Sequence, residues 1–75
     1  MNVEQFEDTL RTFLRREPFQ PFVVELVDGR TVEVDQPGVA FAGGAASFLT
    51  PAYELIEFTF DDVREIRHAK HGAAS

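Results

Sequence analysis

The sequence predicts one small domain of the α+β class, mostly β, with an N-terminal helix at about residues 3–16 and then about five short antiparallel strands. Two observations predict this class. Apolar residues recur at helical spacing only near the N-terminus, whereas from residue 22 onward they alternate with polar residues. Glycine, proline and aspartate then divide the alternating stretch into short strands. We expect the strands to form a small barrel or a strongly curved sheet.

The predicted helix carries one apolar stripe over three turns. The stripe consists of Val3, Phe6, Leu10, Phe13 and Leu14. Asn2 is a good N-cap, and Gln5, three residues later, completes a capping box. Pro18 disfavours helical backbone geometry at Glu17, so we expect the helix to end there.

The segment after the helix reads Pro-Phe-Gln-Pro-Phe over residues 18–22. It could be a proline-rich ligand for a partner or a corner between two elements. A ligand of that kind needs an exposed, extended polyproline stretch. This segment only spans the gap between helix and strand, and its two phenylalanines would be costly to leave in water. We interpret it as a corner.

Two strands around Asp28-Gly29 are predicted to form a hairpin. A two-residue loop would place acidic residues on the apolar face. A three-residue loop at 27–29 instead places Phe22, Val24 and Leu26 on one face with two valines of the second strand. Burial therefore selects the longer loop, in which Gly29 takes a positive φ.

The rest of the chain is predicted to add short strands. Gly43-Gly44 suits a tight hairpin within residues 38–49. A strand at 53–60 and a short strand at 64–68 follow, separated by a turn at 61–63. Residues 1–69 would form the domain, and residues 70–75 a flexible C-terminal tail.

Charge and composition exclude several classes of protein. The net charge is −6, and residues 17–62 carry nine acidic residues against Arg30 alone. This middle section would repel a phosphate backbone. No apolar run approaches the ~18 residues that a membrane span needs, and no secretion signal is visible. With no cysteine in the chain, we expect a cytoplasmic protein.

Candidate chemistry is sparse, and we expect no catalytic, cofactor-binding or metal-binding residues. The two serines, Ser47 and Ser75, lie in a hairpin and at the last residue. His68 and His71 have a spacing found in zinc sites, but such a site needs at least one further ligand. The chain is therefore not expected to be an enzyme and needs no cofactor.

Two resemblances extend this interpretation. The pieces Pro18–Phe22, Asp28–Arg30 and Val63 with Ile66 resemble a family of short, uncharacterised bacterial proteins with a PFxPF…DGR pattern. That family implies no activity. The order of a helix and about five short strands also resembles the SH3-like and Sm-like small β-barrels, in topology only. Fold resemblance does not carry function.

Two functions remain open. The first is a protein-interaction or self-assembly module whose partner is another protein or a second copy of the chain. Its expected interface residues are Val39, Phe41, Phe48, Tyr53 and Leu55. The alternative for these residues is that they merely complete the core. The second function is Sm-like RNA or nucleic-acid binding through a small basic patch of Arg11, Arg15, Arg16, Arg64 and Arg67.

Overall fold

A computed structural model describes residues 1–69, so the expected C-terminal tail and His71 lie outside the described residues. The described chain forms one helix and six strands. In chain order they are α1 (Val3–Leu14), β1 (Phe22–Leu26), β2 (Thr31–Val34), β3 (Ala40–Ala42), β4 (Ala45–Leu49), β5 (Leu55–Thr59) and β6 (Val63–His68). No helix within residues 1–69 is long and apolar enough to cross a membrane.

The six strands form two antiparallel sheets of three strands each. Sheet 1 has the order β2-β1-β6, and sheet 2 has the order β3-β4-β5. The α+β class, mostly β, is confirmed, and the described chain has six strands where about five were predicted. Pro37 and Gly38 lie between β2 and β3, while the Gly43-Gly44 turn separates β3 from β4. Of the two predicted arrangements, a small barrel or a strongly curved sheet, a closed barrel is not found, because no ladder joins the two sheets in the described chain.

Helix α1 begins with the predicted capping box. The Asn2 side chain accepts the Gln5 N–H at 2.7 Å, and the Gln5 side chain accepts the Asn2 N–H at 3.3 Å. The helix ends at Leu14 with Arg15 as its C-cap, two residues before the predicted end. Pro18 disfavours helical backbone geometry at Glu17, so the backbone leaves the helix at Arg15. The last predicted residues of the helix therefore do not adopt helical structure.

The β1–β2 hairpin has the predicted three-residue loop. The Leu26 N–H donates to the Arg30 carbonyl at 2.8 Å, the Gly29 N–H donates to the Leu26 carbonyl at 3.0 Å, and Gly29 has φ +94°. The Asp28 carboxylate accepts the Arg30 backbone N–H and its Nε–H. These two hydrogen bonds, the backbone one first, lower the pKa of Asp28. The three-residue loop excludes a one-residue shift in the pairing of β1 with β2, so the apolar face of the hairpin stays inward.

The core is built on phenylalanines that tie the helix to both sheets. Phe6 packs edge-on against Phe58 of sheet 2, with ring centroids 6.1 Å apart. Phe13 packs against Phe22 of sheet 1 at 5.1 Å. Phe19, in the corner after the helix, lies 6.2 Å from Phe22. The helix therefore spans the gap between the sheets, and the corner segment contributes to the core as expected.

The tight β3–β4 turn is the point where α1 contacts sheet 2. Gly43 and Gly44 have φ +61° and +85°, as a two-residue hairpin loop requires. The Gly44 N–H donates to the Glu7 carboxylate at 3.1 Å, and its carbonyl accepts the Phe60 N–H at 2.7 Å. One glycine thus joins the helix, the turn and the end of β5.

Candidate interaction surface at the β4–β5 hairpin

The open end of the β4–β5 hairpin presents two leucines to solvent. Leu49 and Leu55 are direct cross-strand partners, so their side chains lie on the same face of sheet 2. This is the outer face, since Phe48 and Phe58 on the alternate positions are buried. The two leucine side chains are 54% and 58% exposed.

A five-residue loop, residues 50–54, closes this hairpin. Thr50 and Glu54 pair through the Thr50 N–H and the Glu54 carbonyl at 3.0 Å. The Thr50 hydroxyl accepts the Glu54 N–H at 3.1 Å, and the Thr50 carbonyl accepts the Tyr53 N–H at 2.9 Å. Because these bonds hold Tyr53 in the loop, the predicted strand at 53–60 is shorter and begins at Leu55.

Tyr53 has an unfavourable backbone conformation. Its φ is +65°, and it is the one non-glycine residue with positive φ in residues 1–69. Bulky residues rarely adopt this left-handed region, and doing so costs on the order of 1–3 kcal/mol. Its side chain is also 87% exposed, so no packing within residues 1–69 offsets the cost. A strained and exposed aromatic residue is a candidate for function.

We call Leu49, Tyr53 and Leu55 the hairpin-tip patch. Beyond it the outer face of sheet 2 is covered by small residues, which are Ala40, Ala42, Ala45 and Ser47. Glu57, opposite Ser47, and Thr59, opposite Ala45, complete this face. The patch is therefore an apolar projection at one end of a flat, sparsely charged surface.

The chain segment that contains the hairpin-tip patch carries acidic residues but no basic ones. Residues 31–63 contain no Lys, Arg or His. They contain six acidic residues, namely Glu33, Asp35, Glu54, Glu57, Asp61 and Asp62. Glu54 and Glu57 are exposed and lie closest to the patch in sequence. The charges next to the patch in sequence are therefore negative.

The structure separates the five expected interface residues into two groups. Tyr53 and Leu55 are exposed, whereas Phe48 is only 5% exposed and belongs to the core. Val39 and Phe41 are half-buried and pack against that core. These three residues therefore lie in the core or against it. Inward and outward positions alternate along the hairpin, so the pattern that places Leu49 on the outside places these three side chains on the inside.

Leu49 is the residue of the patch that sequence reasoning missed. The alternation that places Phe48 inward also places Leu49 outward, so the signal was present in the sequence. The carbonyl of Leu49 points toward the β3 side, beyond the end of β3. There it accepts a hydrogen bond from the Gln36 side chain. That bond fixes the position of the last β4 residue.

The expected basic patch is divided by carboxylates. Arg67 contacts Glu25 at 2.6 Å and Glu65 at 3.4 Å, and the hydrogen bond that Arg67 donates to the Glu25 carboxylate raises the pKa of Arg67. Arg64 lies 4.0 Å from the same Glu25 carboxylate.

The other three arginines of the expected basic patch lie in α1 or directly after it. Arg11 pairs with Asp8 at 2.8 Å and lies over the Phe41 ring. Arg15 and Arg16 are exposed at the end of the helix. Three of the five arginines thus already have acidic partners, which reduces the charge offered to a phosphate.

Within residues 1–69, no three His, Cys, Asp or Glu side chains are grouped so that they could hold a metal ion. The His68 ring instead lies 4.9 Å from that of Phe13. No family model, no curated protein and no solved structure matches the chain. The resemblance to the short bacterial proteins therefore stays a prediction.

Proposed function

We propose that the chain is a small, non-enzymatic protein-interaction module of the cytoplasm that docks through the hairpin-tip patch. The observation that carries this proposal is Tyr53, which is 87% exposed and held at φ +65°. Strained backbone conformations persist where the surroundings impose them, and they cluster at functional sites. In this proposal, the helix and the two sheets together form an SH3-like or Sm-like small β module.

The physical properties of the patch suit a protein contact. Tyrosine offers a large, rigid apolar surface with one polar end, which makes it frequent in interfaces. Leu49 and Leu55 form a cross-strand pair at the base of the loop that carries Tyr53, and the outer face of sheet 2 continues from them. Exposed apolar patches with a polar rim mark interaction sites in small soluble domains. A partner would bury all three side chains together.

The acidic rim favours a different protein over a symmetric pair of this chain. A twofold contact through this face would bring Glu54 and Glu57 of one copy toward the same residues of the other copy. Like charges held in close contact oppose association. A second copy can still dock through another surface, in a head-to-tail contact.

Replacing Tyr53 with asparagine tests the proposal with two opposite effects. Asparagine tolerates the left-handed region, so the free energy of unfolding should rise by about 1 kcal/mol. Removing the aromatic ring should at the same time reduce the partner protein that co-purifies with the tagged chain by at least fivefold. Urea unfolding followed by circular dichroism and quantitative co-purification measure the two effects.

Two controls accompany this variant. Tyr53→Phe keeps the ring and should preserve both stability and association. Val27→Asn removes another exposed apolar side chain, 60% exposed at the opposite hairpin, and should leave association unchanged. An unchanged yield of partner with Tyr53→Asn would contradict the proposed function.

A further inference from the structure

The backbone of β5 offers unpaired hydrogen-bonding groups at the edge of sheet 2. Ala42 and Ala45 flank the two-residue turn, so they form a hydrogen-bonded pair. By alternation along β4, the N–H and C=O groups of Ala46 and Phe48 then point toward β5. The Phe60 N–H, bonded to the Gly44 carbonyl at 2.7 Å, continues the same alternation.

The alternate residues of β5 therefore face away from the sheet. Ile56 and Phe58 pair with β4, while the backbone groups of Leu55, Glu57 and Thr59 point to the open edge. No other strand within residues 1–69 pairs with that edge. The Thr59 carbonyl accepts the Asp62 N–H at 3.0 Å, which closes the edge at this end only.

Natural proteins usually protect such an edge with charged side chains, above all lysine, with proline or with a bulge. Leu55–Thr59 contains no lysine, proline or bulge, and Glu57 is its one charged residue. The opposite edge of sheet 2 is different, because β3 has three residues confined between Pro37-Gly38 and the Gly43-Gly44 turn. The edge that borders the hairpin-tip patch is therefore protected by the charge of Glu57 alone, which an opposite charge on a partner would neutralise.

The side chains along this edge define the chemistry of an occupant. Leu55, Glu57 and Thr59 alternate with the inward residues and line the outer face in that order. Glu57 is exposed and central, and no Lys, Arg or His exists in residues 31–63 to neutralise it. An added strand would place its own side chains directly opposite these positions.

We infer that the partner contributes an extended segment that joins sheet 2 as a fourth strand along β5, with a Lys or Arg beside Glu57 and an apolar residue beside Leu55. This inference rests on the proposed function and names the chemistry of its partner. Main-chain hydrogen bonds hold the segment to the edge, and alternate side chains select it. The same segment would carry the residues that cover Tyr53.

A blocked eight-residue peptide with one central lysine, and valine two residues before and two residues after it, is the probe, so that a valine lies beside Leu55 when the lysine lies beside Glu57. Fluorescence anisotropy measures its affinity for the full chain against a matched peptide that has glutamate in place of the lysine. We expect the lysine peptide to bind at least tenfold more tightly. N-methylation of the amides of the lysine and of these two valines should reduce the affinity at least tenfold, since it removes hydrogen-bond donors without changing charge.

Variants of Glu57 separate the contribution that its charge makes to peptide binding from the contribution of its backbone N–H. Glu57→Lys should weaken binding of the lysine peptide about tenfold, and Glu57→Gln about threefold. Glu57→Pro should also weaken it at least tenfold. The N–H that proline removes points to the open edge, so the ladder with β4 stays intact. Unfolding curves confirm that each variant is folded, and the N-methylated peptide tests the backbone bonds if the proline variant is not.

Each outcome decides the inference. Equal binding of the lysine and glutamate peptides, or no effect of N-methylation, would overturn it. Light scattering that showed a dimer of the chain, with the dimer lost in Glu57→Pro, would mean that a second copy already covers β5. That result would overturn the inference as well. If Tyr53→Asn loses the natural partner while Glu57→Lys and Glu57→Pro retain it, this inference fails and the proposed function stands. If none of the three variants loses it, both fail.

Discussion

Replacing Phe22 with alanine is expected to lower the free energy of unfolding by about 3–5 kcal/mol. Phe22 is fully buried at the start of β1, and its ring contacts those of Phe13 and Phe19. The substitution removes the residue that joins the helix, the corner and sheet 1. A domain of 75 residues has a total stability of roughly 4–11 kcal/mol. Most of the margin would disappear.

Urea unfolding followed by far-UV circular dichroism measures this effect, since the chain has one tyrosine and no tryptophan. Phe22→Leu is the matched control and should cost only about 1 kcal/mol, because it keeps most of the buried volume. Val27→Ala, at a residue 60% exposed, should stay within about 0.5 kcal/mol of the wild type. A loss below about 1 kcal/mol for Phe22→Ala would show that this aromatic cluster is not the centre of the core.

Replacing Gly44 with alanine should cost about 2–4 kcal/mol. A Cβ at this position would lie 2.7 Å from the Phe60 ring and 3.2 Å from the Val3 side chain, and its φ of +85° is itself unfavourable for alanine. The close contact would push the turn away from α1. It would therefore strain the hydrogen bond between the Gly44 N–H and Glu7.

Gly43 provides a control one residue away. Its φ is +61°, but nothing lies within 4 Å of an added Cβ. Gly43→Ala should therefore show only the cost of the left-handed backbone, about 1 kcal/mol. The difference between the two variants in thermal or urea unfolding measures the contact with Phe60. Equal losses would mean that the turn is free to move away from the helix.

The sequence predicts well the features that depend on short-range alternation. The three-residue loop at 27–29 follows from the need to keep Glu33 and Asp35 off the apolar face, and Gly29 has the positive φ that this loop demands. The Asn2 capping box follows from residue types at a fixed spacing. Such features need only the local chain, so a single sequence is enough.

The features that the sequence could not supply depend on contacts between distant segments. The pairing of Arg67 with Glu25 links residues 42 positions apart, and nothing in the composition predicts that it would divide the basic patch. The division into two sheets depends on how the chain bends at Pro37-Gly38. These outcomes are set by tertiary packing.

The candidate site, too, could be predicted only in part from the sequence. Alternation indicated that Leu55 would be exposed, but it also extended the strand through Tyr53. The left-handed backbone of Tyr53 comes from the hydrogen bonds that Thr50 makes across the loop. No residue-type preference predicts that conformation for a tyrosine, because the intrinsic preference opposes it. The feature that carries the functional proposal is therefore visible only in the folded chain.

Site-specific photo-cross-linking would identify what contacts the hairpin-tip patch. A benzophenone-bearing phenylalanine is placed at position 53 in the cells that produce the protein. The same group at Thr31, exposed on the edge strand of sheet 1, is the control. We expect one discrete adduct from position 53, lost when Leu55→Lys is added, and none from position 31. No adduct from position 53, or equal adducts from both positions, would contradict docking through the hairpin-tip patch.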